Sequence, residues 1–416
     1  MPDSNALTPQ LVIFDDGLGT FGPLVDVRAA FELRCGLGTM RERIERAVGV
    51  DACRLLTTPA LALLTAETTS RATSGGALSG EIIAVNGRLL TLDAIKNLSA
   101  GEVRVTAADE IVAARVDGAV LAHTDVLAAI RAAARSSTVV VATLASAPWD
   151  ITARIGATLA EDLELFRNSA TLATVDRRVL RPDEGQAFGK HAIHIDRSAS
   201  LGPYCVIDAS KGPVIVGAHV TVRPFAVLIG PCAILEGSTV SERALMKAST
   251  VIGPHCRVGG EIGGTIFQSF SNKSHDGHLG DSFVGEWVNI GAGSDNSNLL
   301  NTYSEVIVRL DTSSGLTRTG TQFWGSIIGD HAKLAIGTRL MTGTTIGTGA
   351  MIAQSRPPAS LVTRFAWLID GAEGAKFFRF DKFMDTARAM MLRRKQQPSA
   401  ALEAVLRALH TRATGG

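Results

Sequence analysis

The feature that most constrains the fold is a six-residue period of aliphatic side chains in the second half of the chain. An amphipathic helix places apolar residues three and four positions apart, and a half-buried strand alternates every two, so a period of six fits neither. It predicts a parallel β-helix with short flat faces, in which each aliphatic side chain stacks on its equivalent one coil below. The period includes Val216, Val222, Leu228, Ile234, Val240, Met246, Ile252 and Val258, and resumes at Val284, Ile290, Ile328, Leu334, Leu340, Ile346 and Ile352.

A second series of small or slim side chains follows the aliphatic series at a distance of four residues. We expect these residues to leave room at the corners between the faces of each coil. The series is Ala226, Cys232, Ser238, Ala244, Thr250 and Cys256.

Composition limits the classes of function. The chain has 416 residues, 41 lysines and arginines and 40 aspartates and glutamates, which predicts two or three domains and gives no electrostatic reason to bind nucleic acid or membranes. Its apolar runs are shorter than the roughly 18 residues of a membrane span, and its first ten residues lack the features of a signal peptide, so we expect a cytoplasmic protein. The five cysteines are odd in number and scattered, which predicts neither disulfides nor a zinc site.

The first part of the chain has the pattern of an α/β domain. A buried strand at 11–15 precedes a glycine loop, and alternation of strands with helical segments over about 190 residues predicts a doubly wound sheet. The expected elements are strands at 11–15, 81–85, 103–106 and 138–143, and helices at 39–48 and 125–135.

These patterns divide the chain into three predicted parts. The α/β domain occupies 1–190 and ends in a linker at 181–190, and the β-helix occupies 191–355 with its first coil at Ile195. Two prolines at 356–360 interrupt the period, and 356–416 forms a helical tail in which Ser399 caps a helix at 400–409. The basic run at 393–395 is interpreted as a solvated helix end.

The candidate catalytic residues lie at 271–301, which we interpret as an irregular interruption of the β-helix. His275, Asp276 and His278 fall within four residues of one another there, in a repeat that otherwise has little ionisable chemistry. Histidine, with an unperturbed pKa of about 6.5, is suited to accept a proton near neutral pH, and Asp276 is positioned in sequence to orient it.

Several longer segments resemble one known family. They are LVIFDDG at 11–17, the block from Gly259 to Tyr303 that contains SHDGHLGD and VNIGAG, the segment TGTQFWGSIIGDHAKLAIGT, and the late MLRRK. The chain resembles the bifunctional uridylyltransferase/acetyltransferases that make UDP-N-acetylglucosamine, above all their short Bacteroidetes-type variant. The resemblance implies a nucleotidyltransferase-like (Rossmann-like) α/β domain, then a left-handed parallel β-helix of hexapeptide repeats that binds acetyl-CoA, and assembly as a homotrimer.

The resemblance also implies roles for individual residues of the β-helix. The family's catalytic histidine falls on His275, and the alanine whose backbone faces acetyl-CoA falls on Ala292. A family tyrosine that touches the sugar is replaced by His278. The remaining implied substrate contacts are Asn289 and Asn298 for the sugar, and Lys247 for the sugar phosphate. Arg223 is a further candidate for the phosphate because of its charge.

The α/β domain departs from the family pattern in its nucleotide loop. The loop GLGT survives with Gly17, Gly19 and Thr20, and Arg28 and Arg34 remain as candidate phosphate contacts. The family's arginine after this loop is replaced by Phe21, and its proline-lysine pair by Ala29 and Ala30.

The family's magnesium-binding position is also altered. The Gly-Asp pair that holds the metal appears here as Gly87 and Arg88, and an arginine cannot ligate Mg²⁺. Asp15 and Asp16, or Asp150, are the alternative acidic residues. Mg²⁺ and UTP are therefore expected only if this domain is active; otherwise it binds a sugar nucleotide or serves as a scaffold.

The predicted function is acetyl-CoA-dependent N-acetyl transfer to an amino-sugar phosphate, with glucosamine 1-phosphate as the expected acceptor and uridylyl transfer left open. One alternative is a non-catalytic sugar-nucleotide-binding scaffold. Another is a zinc hydratase of the γ-carbonic anhydrase type, in which His255, His275 and His278 hold the metal.

Overall fold

The structure is a computed structural model that describes residues 9–49, 53–73, 78, 80–119, 125–167, 185–371 and 376–415. By its contacts the chain divides into two units. The first comprises residues 1–19, 28–33 and 38–146, and the second comprises 20–27, 34–37 and 147–416. Residues 181–184 of the predicted linker lie outside the described residues.

The first unit is built on a six-stranded mixed sheet with the strand order β2-β1-β3-β5-β4-β6. Both faces of the sheet are covered, because one apolar cluster contains Leu11 and Ile13 and the other contains Val12 and Phe14. The strands are β1 (Gln10–Phe14), β2 (Cys53–Leu56), β3 (Glu81–Asn86), β4 (Glu102–Val105), β5 (Ile111–Asp117) and β6 (Ser136–Val139). The helices are α1 (Met40–Val48), α2 (Pro59–Thr69) and α3 (Val126–Ala133), with 3₁₀ turns at Ala30–Glu32 and Leu92–Ile95.

Local sequence explains where the two predicted helices begin. Thr39 and Glu42 form a capping box at the start of α1, in which each side chain bonds the backbone N–H of the other residue. Asp125 caps α3 by accepting a hydrogen bond from the N–H of Ala128. Both helices are confirmed to within about three residues.

The predicted Rossmann-like α/β fold is confirmed with a mixed sheet, but the expectation of doubly wound parallel strands does not hold at β5, a strand that the sequence pattern does not reveal. This strand runs antiparallel to both of its neighbours. The turn from β4 to β5 is tight: Thr106 donates to the carbonyl of Glu110, and Asp109 has a φ of 63°. A connection this short can only join antiparallel strands. The predicted strand at 138–143 is also displaced, since β6 ends at Val139.

The second unit is a parallel β-helix, as the six-residue period predicts. Face 1 contains β7 (Gly185–Phe188), β10 (Cys205–Asp208), β13 (Val227–Ile229), β16 (Leu245–Met246), β19 (Glu261–Gly263) and β22 (His278–Gly280). Face 2 contains β8 (Ile193–Ile195), β11 (Val214–Val216), β14 (Cys232–Ile234), β17 (Thr250–Ile252), β20 (Ile266–Phe267), β23 (Phe283–Val284), β28 (Ser326–Ile328), β31 (Thr344–Ile346) and β33 (Leu361–Val362). Face 3 contains β9 (Ser200–Leu201), β12 (Thr221–Val222), β15 (Thr239–Val240), β18 (Arg257–Val258), β21 (Asn272–Lys273), β24 (Asn289–Ile290), β29 (Lys333–Leu334), β32 (Met351–Ala353) and β34 (Trp367–Ile369).

The predicted core of this β-helix is confirmed. All of the aliphatic residues of the six-residue series are buried in one continuous cluster, and the slim residues of the second series are fully buried as well. A regular coil has 18 residues, since Val216 pairs with Ile234 on face 2. Three faces of six residues each therefore account for the period.

The ends and the interruption of the β-helix differ from the prediction. The first coil begins at β7, because Gly185–Phe188 pairs with β10, whereas the sequence placed it at Ile195. The pairing continues past the prolines through β33 and β34. The long insertion is at 297–325, between β25 (Asp295–Asn296) and β28, and contains the hairpin of β26 (Ile307–Val308) and β27 (Thr317–Arg318). Most of 271–301 lies within stacked coils.

Helices complete the second unit. They are α4 (Pro148–Thr152), α5 (Ile155–Leu165), α6 (Phe380–Leu392) and α7 (Ala400–Thr414), with a 3₁₀ turn at Gly22–Val25. Ser399 caps α7 as predicted, because its side chain accepts a hydrogen bond from the N–H of Leu402. Phe383 of α6 packs its ring 5.0 Å from that of Phe365 in the last coil. No helix among the described residues is long and apolar enough to span a membrane.

Candidate functional site

His275 stands on an exposed corner between face 3 and face 1, in the four residues that join β21 to β22. The next corner stacks directly on it, because the N–H of Gly293 donates to the carbonyl of Asp276 at 3.0 Å. Ala292 belongs to that next corner, so the structure places the predicted base and the predicted acetyl-CoA contact on adjacent coils. No hydrogen bond between Asp276 and His275 occurs among the described residues, so the sequence neighbour does not orient the imidazole here.

The corner below His275 is shortened and carries no side chain. Only Gly259 and Gly260 join β18 to β19, where four residues join β21 to β22. A Cβ atom on Gly260 would approach the carbonyl oxygen of Gly277 to 2.6 Å. The two glycines therefore let the coils close up, and they leave His275 without a side-chain neighbour on the corner beneath it.

A charged cluster lies on face 1, formed by side chains from the neighbouring coils of β16, β19 and β22. Glu261 pairs with His278 in the parallel register of β19 and β22. Its Oε1 atom lies 3.0 Å from Nζ of Lys247 and 3.4 Å from Nδ1 of His278. The hydrogen bond from Lys247 lowers the pKa of Glu261, with His278 contributing. The side chains are between 33% and 50% exposed, so a ligand can reach all three.

Two glycines form the floor beside this cluster. A Cβ atom on Gly280 would lie 2.6 Å from Nε2 of His278 and 2.8 Å from Nδ2 of Asn298. A Cβ atom on Gly263 would lie 3.0 Å from Cβ of Lys247. The structure thus brings together three of the predicted substrate residues, Lys247, His278 and Asn298, around a backbone surface that a ligand can approach closely.

Asn298 is held by an acidic partner that sequence reasoning missed. Its Nδ2 donates to Oδ2 of Asp281 at 2.5 Å. Burial raises the pKa of the Asp281 carboxyl, against the lowering effects of Asn298 and His278. The sequence pattern identified neither Asp281 nor Glu261 as a site residue. The sequence signal for Glu261 is its spacing from His278. It lies 17 residues earlier, which is about one coil, and the two residues are therefore neighbours on face 1.

A buried asparagine supports this surface from inside. Asn296 accepts from the N–H of Gly280 at 2.8 Å and donates to its carbonyl at 2.9 Å. It therefore replaces the strand pairing that β22 loses where the chain leaves the coil for the 297–325 insertion. Because both polar groups of Gly280 are bonded, the floor of the site is fixed.

Two predicted substrate residues lie elsewhere on the β-helix. Asn289 is on the outer side of face 3, where its Oδ1 accepts from Asn272 at 3.5 Å. Arg223 is paired with Glu242 at 3.8 Å. Its corner lies three coils below that of His275, through the pairings β12-β15-β18-β21, which is roughly 14 Å at about 4.8 Å per coil. The structure therefore does not place Arg223 beside His275.

The tail reaches face 3 through a residue of its basic run. Arg394 donates to Oδ1 of Asn272 at 2.7 Å and to the carbonyl of His255 at 3.1 Å. The interpretation of 393–395 as a wholly solvated end is wrong for Arg394, because two acceptors of the β-helix hold it. His255 itself stacks on Phe270, at 4.9 Å between ring centroids, on the corner between faces 2 and 3. Within one chain it does not converge with His275 and His278.

The residues of the predicted nucleotide loop are divided between the two units. Gly17, Gly19 and Arg28 belong to the first, whereas Thr20 and Arg34 belong to the second. Arg34 is 7% exposed, and its guanidinium donates to the carbonyls of Gln268 and Leu37 at 3.2 and 3.0 Å. Gly17 donates its N–H to Oδ1 of Asp15 at 3.0 Å.

The acidic residues near this loop do not fit a magnesium site. Both oxygens of Asp16 accept from the Arg88 guanidinium, at 2.8 and 2.7 Å, and Asn86 donates to one of them at 2.7 Å. Burial opposes ionisation of Asp16, but the bonds from Arg88 and Asn86 keep its pKa below the usual range. Asp150, in the other unit, accepts from the N–H of Ala147. No group of three potential ligands that could hold a metal occurs in the described residues.

Comparison with known proteins supports the resemblance stated from the sequence. Residues 11–171 match the family model described as sugar nucleotidyl transferase. The "Bifunctional protein GlmU" of Jannaschia sp. (strain CCS1) is 30% identical over 162 residues, and that of Trichormus variabilis is 29% identical over 207 residues. The predicted resemblance is confirmed. These segments cover 38% and 47% of this chain, but only 31% and 40% of the relatives, so the chain matches well under half of their length.

Solved structures give more distant likenesses. The UDP-N-acetylglucosamine acyltransferase of Francisella novicida is 14% identical, with a TM-score of 0.29 over 51% of this chain and 75% of that one. The acetyltransferase domain of PglB from Neisseria gonorrhoeae, in complex with acetyl coenzyme A, is 13% identical with a TM-score of 0.13 over 67% of this chain and all of that one. At these values neither carries an argument about function.

Proposed function

We propose that the β-helix unit transfers an acetyl group from acetyl-CoA to the amine of an amino-sugar phosphate, with glucosamine 1-phosphate as the acceptor. The observation that carries the proposal is the juxtaposition on neighbouring coils of an exposed corner histidine, His275, with the charged, glycine-floored surface of face 1. The similarity to the bifunctional GlmU proteins supports it from a different direction.

The reaction needs a base and a polarised thioester. The amine nitrogen attacks the carbonyl carbon of acetyl-CoA, the C–S bond breaks, and CoA leaves as the thiolate. His275 accepts the proton that the amine loses, a role typically worth 10² to 10⁴ in rate. Backbone N–H groups at the stacked corner that contains Ala292 are suited to stabilise the oxyanion.

The face 1 cluster is assigned to the acceptor. Lys247 provides the cation for the phosphate, while His278 and Asn298 hydrogen-bond to sugar hydroxyls across the Gly263 and Gly280 floor. Glu261 and Asp281 hold these side chains before the substrate arrives. Asn289, on face 3, and Arg223 are left without an assigned contact in this arrangement.

The proposal is tested by release of CoA thiol from acetyl-CoA in the presence of glucosamine 1-phosphate. A thiol reagent is suitable because all five cysteines of the chain are buried. Glucosamine 6-phosphate and glucosamine serve as comparison acceptors, and mass spectrometry identifies the N-acetylated product. Failure of every amino-sugar phosphate to release CoA would contradict the proposal.

For the first unit we propose binding of a sugar nucleotide without nucleotidyl transfer. The proposal is supported by the Arg88–Asp16 pair, because Arg88 stands at the position where the family resemblance implies a Mg²⁺ ligand. Addition of UTP and Mg²⁺ to the same reaction should give no pyrophosphate, while equilibrium dialysis should detect bound UDP-N-acetylglucosamine. Pyrophosphate that depends on both UTP and Mg²⁺ would contradict it. The predicted homotrimer is measured by light scattering after size-exclusion chromatography.

Substitution of Gly280 should weaken acceptor binding. In Gly280→Ala the new methyl group collides with Nε2 of His278 and Nδ2 of Asn298, so both side chains must move. Loss of one or two hydrogen bonds raises KM for the amino-sugar phosphate by about 10- to 100-fold. Gly315→Ala is the matched control, because a Cβ atom there meets nothing within 4 Å. An equal KM in the two variants would show that Gly280 does not line the acceptor site.

A further inference from the structure

A lysine occupies a core position of the β-helix directly before the His275 corner. In the inward column of face 3, Val240 pairs with Val258, and Val258 pairs with Lys273. Lys273 is 1% exposed, although lysine is among the residues least often buried in proteins. The neighbours in this column show that an aliphatic side chain would fit the fold, so the lysine needs another explanation.

The ammonium of Lys273 joins two stacked corners. Nζ donates to the carbonyl of His275 at 2.9 Å, and to the carbonyl of Gly259 in the shortened corner below at 3.4 Å. The charged groups that face it are Asp276, on the same corner, and Asp295, on the coil above. The lysine therefore fixes the backbone of the residue proposed as the base, from the inside of the coil.

We propose that Lys273 is a positioning residue, whose internal ammonium holds the corner 274–277 in the conformation that presents His275 to the substrate. This inference rests on the proposed acetyl transfer and adds a residue to it. Lys273 does not touch the reacting atoms. It acts through the carbonyl of His275, as a support from beneath the site.

The energetic cost of this lysine supports a functional role. Burial lowers the pKa of Lys273 from 10.5 to about 8, against the raising effect of Asp295 and Asp276. Between these pH values the unfolded chain keeps a proton that the folded chain has lost, so stability rises with pH across this range. At neutral pH the charged lysine therefore works against folding. As pH rises through about 8 the charge-assisted bonds to the two carbonyls weaken, and the support is reduced.

The chain contains a control with the same chemistry. Lys333 also donates to two corner carbonyls, those of Trp287 and His331, each at 2.8 Å. Burial lowers its pKa to about 7, with Asp330 as the opposing charge. Its corner joins faces 2 and 3 and does not carry the proposed base. Lys333 lies in the outward register of face 3, opposite Asn289, and is half-buried, so Lys333→Met removes an ammonium that bonds two corner carbonyls from a different place.

The experiment compares Lys273→Met and Lys333→Met by their kcat, KM and pH profiles for CoA release. We expect Lys273→Met to lower kcat at least about tenfold at pH 7 with KM for the acceptor within about twofold, in line with the cost of misplacing a catalytic group. Wild type and Lys333→Met should share a fall in kcat above pH 8 that Lys273→Met lacks. An unchanged kcat in Lys273→Met, or an equal loss in Lys333→Met, overturns the inference.

Amide hydrogen exchange tests the role of Lys273 independently of acetyl transfer. If wild type releases no CoA, the proposed function fails, and amide hydrogen exchange then judges the support itself. We expect faster exchange at residues 276–278 in Lys273→Met than in Lys333→Met, because only the former frees this corner. Equal exchange in the two variants overturns the support independently of catalysis.

Discussion

His275→Ala should lower kcat for acetyl transfer by at least about a hundredfold, because the amine of the acceptor then loses its proton without a base. His275 is exposed on its corner, and no described side chain forms a hydrogen bond with it. No neighbouring group is therefore in place to act as the base in the alanine variant. His278 is bound to Glu261 on face 1, so it lies on a different part of the coil. KM for the acceptor should change little, since the proposed acceptor contacts are Lys247, His278 and Asn298.

Two control variants test whether the loss of kcat comes from the basic nitrogen of His275. His219→Ala removes another exposed corner histidine of the same β-helix and should leave kcat within about twofold. His275→Gln keeps the size of the side chain without the basic nitrogen, and should be as slow as the alanine variant. Added imidazole should partly restore the alanine variant. A His275→Ala enzyme within threefold of wild type would assign the base to another residue.

Much of the β-helix could be predicted from the sequence because its core is periodic. Each inward residue packs against the same position of the next coil, so the aliphatic series alone determines the faces. The series fails where the coil length changes. Val258 pairs with Lys273, only 15 residues later, and Phe283 pairs with Ile327, 44 residues later. A count in steps of six loses register at both places, so the position of Lys273 in the core and the true insertion were missed.

The candidate site could be predicted only in part, for a related reason. His278 and Asn298 were found through the family resemblance, whereas Glu261 becomes visible only when the register of β19 and β22 is known. In the first unit, β5 was missed because its segment IVAARV is buried on both faces and does not alternate. Partners that are distant in sequence, such as Arg88 and Asp16, require the fold itself.

Arg88→Met should destabilise the first unit by about 3 to 5 kcal/mol, because it leaves the buried Asp16 carboxylate without its partner. The Arg88 side chain is 1% exposed and that of Asp16 is 2% exposed. Besides Asp16, the guanidinium bonds Oε1 of Glu110 and the carbonyl of Ala145, each at 2.8 Å. A methionine fills a similar volume but satisfies none of these acceptors.

Hydrogen exchange is the appropriate measurement, because it resolves the two units. All four tryptophans, at 149, 287, 324 and 367, belong to the second unit, so their fluorescence reports on the β-helix unit and serves as an internal control. We expect the loss of protection in Arg88→Met at β3 and β5, which carry Asn86 and Ile111. Arg131→Met removes an exposed pair with Asp109 on the same unit and should cost less than about 1 kcal/mol.

The pH dependence separates the ion pair from simple packing. Arg88 keeps the pKa of Asp16 below 3.8 in the folded chain, so its contribution to stability is present above that pH and is lost as the pH falls through the folded pKa. The difference between wild type and Arg88→Met should therefore be full at pH 7 and small in acid, where Asp16 is protonated in both. A difference that does not vary with pH would mean that Arg88 fills space without neutralising Asp16. Asp16 would then be free to bind a cation, and the case against nucleotidyl transfer by the first unit would lose its physical basis.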